Sequence, residues 1–315
     1  MRYNTIKEKL SMRKNVLVIG GSYFAGRVFN ILTSRTDMFE LHVVNRGKAP
    51  LNNLSHVTQY QCDRHEPMKM AALLPDIKFD AVIDFCAYSA NDIKQIIEAM
   101  KDRIGQYIYI STSSVYDPGI TTHKKETDEV VVTDSDDPVD EYIAGKAVLE
   151  LECMAYCKQY DIPFTILRPS FIYGPFNYAP RESYYIEKIV RHKPVPVTTD
   201  CNTKFNFLYV YDLTYALQAC VGNEKAYNDI FNLAGPEDIT YDLFIQTLEK
   251  VSDVPFVKEP HTVDDVLKNN IPLPFPLEND DLCDGSKITE KLGLKYTPFE
   301  EGMSKTFQIF KNVYS

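Results

Sequence analysis

Three tyrosine–lysine pairs spaced four residues apart, Tyr3/Lys7, Tyr142/Lys146 and Tyr184/Lys188, stand out in this sequence. Residues four apart share one face of a helix, so the phenol and ammonium of such a pair can meet the same bound molecule. A free tyrosine titrates at about pH 10, and a nearby ammonium favours its phenolate, which brings the group toward the range of general acid–base chemistry. With 21 tyrosines in the chain the spacing has little force, and position decides. Only Tyr142/Lys146 is predicted to lie on the helix that follows a strand ending in Ser111-Thr112-Ser113-Ser114. There Thr112 can orient a substrate oxygen, Tyr142 can exchange a proton, and Lys146 can serve both the phenol and a ribose. The competing reading is an ordinary solvated helix pair.

A second constellation lies near the start. Glycine is scarce, 13 residues in all, yet Gly20, Gly21 and Gly26 fall between an apolar strand and a predicted helix. A tight turn needs glycine, and the helix N-terminus behind it then faces a pyrophosphate. Gly20, Ser22, Tyr23, Phe24 and Gly26 are therefore candidate dinucleotide contacts, against the alternative of a plain strand-to-helix turn. Phe24 stands where a serine hydrolase elbow around Ser22 would need its last glycine. After the second strand comes Asn45-Arg46-Gly47, not the acidic residue that holds a ribose diol. A neutral residue followed by arginine suits a 2′-phosphate, so the reading is NAD(P), with NADP favoured over NAD. Asp63 ends the third strand, as an adenine contact or as a simple turn cap.

The elements that must position these residues follow an alternating rhythm. Strands are predicted at 16–19, 41–44, 57–61, 81–83 and 106–110, with helices at 24–33, 67–74 and 91–100 between them. That alternation predicts a parallel sheet covered on both faces: an α/β, doubly wound Rossmann fold with ligands at the carboxyl ends of the strands. Residues 117–139 are polar and turn-rich and are expected to form a mobile lid. A long helix is predicted over 141–160, a strand at 164–167, helices near 181–191 and 212–221, strands near 207–210 and 230–233, and then mostly helix. The expected domains are 12–172 plus about 204–234 for the dinucleotide, and about 173–203 plus 235–315 for a smaller, mostly helical substrate lobe. Residues 1–11 are expected to be a dispensable extension.

At 315 residues, 44% hydrophobic and 25% charged, the chain has the composition of a well-cored globular protein. A net charge of −10 and a pI near 5.2 argue against a nucleic-acid partner. There is no apolar run long enough for a bilayer and no apolar leader, so a cytoplasmic setting with a small-molecule substrate and no membrane is expected. The seven scattered cysteines and six histidines form no ligand spacing, so no metal is expected. Cys153 and Cys157, four apart, read as helix-core residues.

Taken together, VIGGSYFAG, Cys62-Asp63, YIYISTSSVY (107–116), YIAGK (142–146), LRPSFIYGP (167–175), FLYVYDLTYAL (207–217) and IFNLAGP (230–236) resemble the extended short-chain dehydrogenase/reductases of the NAD-dependent epimerase/dehydratase family. They run in family order, with a family-like DGSKITEKLGLKY near the C-terminus. GGSYFAG and NRGK look most like an atypical branch that includes plant chloroplast RNA-binding relatives. The resemblance implies Thr112, Tyr142 and Lys146 as the catalytic set. It implies cofactor contacts from the glycine turn, Arg46, Asp63, Ala87 and Pro169-Ser170-Phe171. It implies hydride transfer at a carbinol or carbonyl carbon of a sugar-like or nucleotide-linked substrate, as epimerase or as carbonyl reductase, and leaves open a homodimer through the tyrosine-bearing helix. A non-catalytic NADP sensor or RNA-binding relative is the reading of another class. Two departures stand against particular members. Where sugar-nucleotide 4,6-dehydratases carry an Asp-Glu pair after the threonine, this chain has Ser113 and Ser114. Where UDP-sugar epimerases place diphosphate-binding arginines, it reads Thr203-Lys204-Phe205 and Pro274.

Overall fold

The short apolar runs predicted as strands are buried in the interior of the sheet, where both faces are covered, and the edge strand at 57–61 is partly exposed. In the computed structural model, which describes residues 13–51, 53–131 and 138–315, β1 (Lys14–Ile19), β2 (Phe39–Asn45), β3 (Val57–Gln61), β4 (Ala81–Asp84), β5 (Tyr107–Ile110) and β6 (Phe164–Pro169) pair in parallel. With β10 (Asp229–Leu233) at one edge, the order is β10-β6-β5-β4-β1-β2-β3. The chain leaves β1 toward one edge and β4 toward the other, so the carboxyl ends of these two neighbours form the topological switch point where such sheets bind ligands. Helices α1 (Phe24–Thr33), α2 (Pro67–Leu73), α3 (Asp92–Met100) and α4 (Pro138–Gln159) make the connections.

The chain divides into two units. The first comprises residues up to Val115, Val130–Arg168 and Thr214–Phe231; the second comprises Tyr116–Glu129, Pro169–Leu213 and Asn232–Ser315. One core cluster of the first unit joins Leu17, Ile19, Val82, Tyr107 and Tyr109 of the sheet to Met70, Ile93, Ile96, Ile97 and Leu149 of the helices. Cys153 and Cys157 are buried in it as free thiols. Arg168 at the end of β6 holds Glu150 of α4 through Nε at 2.9 Å and Nη2 at 2.6 Å, a two-pronged pair with both side chains 3% exposed. It anchors the helix that bears Tyr142 and Lys146.

The second unit holds two small parallel pairs, β7 (Phe171–Tyr173) with β9 (Phe207–Tyr209), and β8 (Val195–Thr198) with β11 (Lys258–His261). Its helices α5 (Glu182–Val190) and α7 (Tyr241–Ser252) both pack against α10 (Phe299–Tyr314). The remaining α-helices among the described residues are α6 (Val210–Cys220), α8 (Val263–Asn269) and α9 (Ser286–Leu292). Three of the strands escape a reading of the sequence: β7 follows β6 after one residue, and β8 and β11 carry Pro196 and Pro260, which demote a strand pattern.

The expected lid is only partly free of contacts. Within the second unit Tyr116 donates to Asn232 Oδ1 at 2.6 Å, Lys124 N donates to Leu282 O at 3.0 Å, and Lys124 Nζ meets Asp281 at 2.8 Å. Lys124 is only 4% exposed. These polar anchors at Tyr116 and Lys124 are invisible to a count of apolar residues. Residues 1–12, with the expected N-terminal extension, and 132–137 lie outside the described residues.

Candidate active site

The glycine turn is built for close approach. Gly20 and Gly21 have φ of +89° and +66°, a region closed to most side chains, and a Cβ on Gly20 would press on Cys86 Sγ at 3.0 Å. Gly26 lies so close to Gly21 that a Cβ there would stand 2.4 Å from Gly21 Cα. Asn30 of α1 donates to Gly21 O at 2.8 Å and ties the helix to the turn. Ser22 is half-buried and Tyr23 is 60% exposed; Tyr23, at the N-cap position, makes no side-chain cap on α1, and Phe24 opens that helix with φ +35°. No Tyr23 side-chain cap therefore competes for the positive end of this helix.

On the neighbouring strand end, buried Asn45 accepts from Gly47 N at 2.9 Å and Gln59 Nε2 at 2.7 Å through Oδ1. Its Nδ2 is buried without a partner among the described residues. Arg46 is exposed. Asp63 Oδ1 accepts from His65 N at 3.0 Å, and His65 Nδ1 lies 3.0 Å from the same oxygen. Those bonds, the backbone N–H foremost, together with nearby Arg46 hold the Asp63 carboxyl below its ordinary range. Its turn-capping role is therefore plain in the geometry. The two glycines at positive φ, the helix start without a Tyr23 cap and the orphaned Asn45 amide fit a dinucleotide.

Lys146 is the centre of the second constellation. Its Nζ donates to Ile110 O at 2.9 Å and Ala87 O at 3.2 Å, and it is 4% exposed. The rings of Tyr88, Tyr109 and Tyr142 surround it at 4.9, 4.9 and 5.8 Å from their centroids. Burial pulls the ammonium down to about 8, with Asp84 opposing that fall. Tyr142 is 47% exposed, and Tyr88, 6.3 Å away ring to ring, flanks it. Helix spacing brings Tyr142 and Lys146 together as expected. Thr112 Oγ1 is engaged within its own turn, accepting from Ser114 N at 3.2 Å and lying 3.3 Å from Ser114 Oγ. Ser113 is buried and Ser114 exposed, so this turn carries no carboxylate.

Pro169, Ser170 and Phe171 belong to the second unit or its border. Ser170 N donates to Leu233 O at 2.9 Å, while Ser170 Oγ is buried without a partner among the described residues. Phe171 packs edge-on against Phe205 at 6.1 Å and Phe275 at 5.9 Å. Phe205 and Phe275 stack at 4.9 Å, and both are buried. The segments around 203–205 and 274 thus fill with aromatic packing, and Lys204 is exposed beside Asp280, whose carboxylate accepts from its backbone N–H at 2.9 Å. Reading the sequence missed Tyr88, Asp84 and Arg64; an acidic residue closing the apolar run Ala81-Val82-Ile83 was the available signal.

The profile of the NAD dependent epimerase/dehydratase family matches residues 16–234. The chain belongs to that family. It is a family of NAD-dependent enzymes of the short-chain dehydrogenase type. Among its relatives, the chloroplast stem-loop binding protein of 41 kDa b of Arabidopsis thaliana is 30% identical over 78% of this chain, which spans 65% of that relative's length. The dTDP-D-glucose 4,6-dehydratase of Bos taurus is 24% identical over 96% of this chain and 90% of its own. The fold is shared with UDP-glucuronic acid 4-epimerase from Bacillus cereus, solved with UDP-glucuronic acid and NAD, at a TM-score of 0.77 and 21% identity over 95% of this chain and all of that one. It is likewise shared with dTDP-glucose 4,6-dehydratase from Bacillus anthracis, solved with NAD, at 0.76 and 18% over 95% and 97%. Among the described residues no helix is long and apolar enough to cross a membrane.

Proposed function

We propose that this family member transfers hydride at a carbinol or carbonyl carbon of a small sugar-like or nucleotide-linked molecule, as an epimerase or a carbonyl reductase. The carrying observation is Lys146, seated on the carbonyls of Ala87 and Ile110 with the Tyr142 ring 5.8 Å away. In this reading Gly20, Ser22, Tyr23, Phe24 and Gly26 hold the pyrophosphate, and Asn45, Arg46 and Asp63 hold the adenosine end. Ala87, Tyr142 and Lys146 line the nicotinamide end, and Pro169, Ser170 and Phe171 are taken as further cofactor contacts. When bound, NAD(P) supplies the hydride acceptor and donor. Tyr142 moves the proton on the substrate oxygen, Lys146 holds the ribose and its charge acts on the phenol, and Thr112 orients that oxygen. Dehydration is disfavoured because Ser113 and Ser114 can neither protonate a leaving hydroxyl nor take a carbon-bound proton. A UDP-sugar gripped by two arginines is disfavoured by the Phe205–Phe275 stack.

Mass spectrometry of cofactor released from the purified protein tests the class, and turnover on parallel panels of free and nucleotide-linked sugars tests the substrate. We further propose that NADP binds more tightly than NAD, with Arg46 holding the 2′-phosphate. Calorimetric titration should show that Arg46→Ala weakens NADP binding about tenfold or more while leaving NAD binding nearly unchanged. Equal affinities in the wild type would refute it. A second reading, stem-loop binding, is favoured by the Arabidopsis relative alone.

A further inference from the structure

Behind Lys146 lies a buried charge cluster that the proposed chemistry does not use directly. Asp84, the last residue of β4, is fully buried and its carboxylate accepts three hydrogen bonds. Oδ1 accepts from Arg64 Nη1 at 2.8 Å and Cys86 N at 2.9 Å, and Oδ2 accepts from the Tyr107 hydroxyl at 2.7 Å. Arg64, 8% exposed, sends Nη2 to the carbonyl of Asp92 at 2.7 Å. The carboxylate of Asp92 in turn accepts from Tyr88 N at 2.9 Å and Ser89 N at 3.0 Å. One guanidinium therefore clamps both ends of segment 84–92. That segment contains the Ala87 carbonyl that receives Lys146 and the Tyr88 ring beside it. A buried ion pair is a weak source of net stability, so its use is better sought in what it holds in place.

We propose that the Arg64–Asp84 pair is the positioning element for Lys146: it staples the segment that seats the ammonium and balances the charge around it. This rests on the reading that Lys146 contacts a bound dinucleotide. The groups that face Lys146 are Asp84, Cys86 and Tyr88 from the segment after β4, Arg64 from the segment after β3, Tyr109 from β5, and Tyr142 and Glu150 from its own helix. Burial favours the neutral amine, Asp84 and Glu150 favour the ammonium, and Arg64 opposes it. Glu150 is held by Arg168 and Asp84 by Arg64, and of the two anions Asp84 acts more strongly on the ammonium.

The test is the pH dependence of NADP and NAD affinity, measured calorimetrically between pH 6 and 10 on the full chain; it needs no substrate. Wild-type affinity should fall as pH rises through about 8, where Lys146 loses its proton. Asp84→Asn removes the anion and leaves the Arg64 cation, so the midpoint of that fall should move down by about one pH unit. Arg64→Lys keeps the charge, but one compact head cannot span Asp84 and the Asp92 carbonyl. It should weaken binding several-fold at every pH without moving the midpoint. Thermal unfolding checks that each variant is folded; if Asp84→Asn does not fold, Arg64→Lys decides. An unmoved midpoint in folded Asp84→Asn, or wild-type affinity in Arg64→Lys, overturns the inference while leaving the cofactor reading intact. A wild type that binds neither dinucleotide at any pH overturns both.

Discussion

Tyr142 has an exposed phenol and a ring packed near Lys146 and Tyr88, so its hydroxyl can be removed without removing its packing. Tyr142→Phe should retain folding and cofactor affinity and lower turnover by roughly 10²–10⁴-fold, the range of a positioned acid or base. Steady-state kinetics on a working substrate checks it, with Tyr184→Phe as a control that should lose little. Glu182 is a second residue with a readable consequence. It is fully buried and accepts from Gly174 N at 2.9 Å and Asn177 Nδ2 at 3.0 and 2.9 Å, and burial pushes its carboxyl up to about 7. Because the folded value lies above the unfolded one, folding favours the protonated acid. The stability it contributes is complete below about pH 4.5 and is lost as pH rises through about 7. Glu182→Gln should therefore be more stable than wild type at pH 8, by about 1–3 kcal/mol, with the difference vanishing near pH 5. Chemical denaturation at the two pH values measures it, and a pH-independent difference would contradict the assignment.

Among the elements, α1 depends sharply on one residue. The 2.4 Å approach of a Gly26 Cβ to Gly21 Cα is against backbone, which cannot rotate away as a side chain does. Gly26→Ala should force α1 from the turn, destabilise the protein by about 1–3 kcal/mol and cut dinucleotide affinity in the same variant. Urea unfolding and calorimetry together test this, and unchanged affinity would separate the turn from cofactor binding. The extent of α1 and of β3 could be read residue for residue, because their apolar patterns end where glycine, proline or polar residues begin. Helix α4 could be placed from its spacing, although it begins at Pro138, three residues before the predicted start. Strand β9 falls within the predicted 207–210, whereas β7, β8 and β11 could not be placed, since three or four residues, in β8 and β11 with a proline, carry too little pattern to stand above noise.

For the molecule as a whole, the net charge of −10 sets a strong expectation about partners. Nucleic-acid affinity grows with the number of phosphates neutralised and falls steeply with salt. Filter binding of a stem-loop RNA should show only weak retention at low salt, abolished at about 0.2 M. Tight, steeply salt-dependent binding would favour the nucleic-acid-binding reading over the enzymatic one. The sequence by itself determined the alternation of strand and helix, hence the parallel sheet and the strand ends at which a ligand must sit. It also singled out Tyr142/Lys146 from three equivalent pairs, because these inferences need only local periodicity and chain order. Tertiary structure alone decided what surrounds those residues. Asp84, Arg64 and Asp92 come from separate segments and meet only when β4 lies beside β1 and β5. Whether Lys146 is a solvated surface lysine or a buried ammonium on two carbonyls was likewise set by packing. Burial and field are sums over neighbours distant in sequence, and no spacing along one chain encodes them.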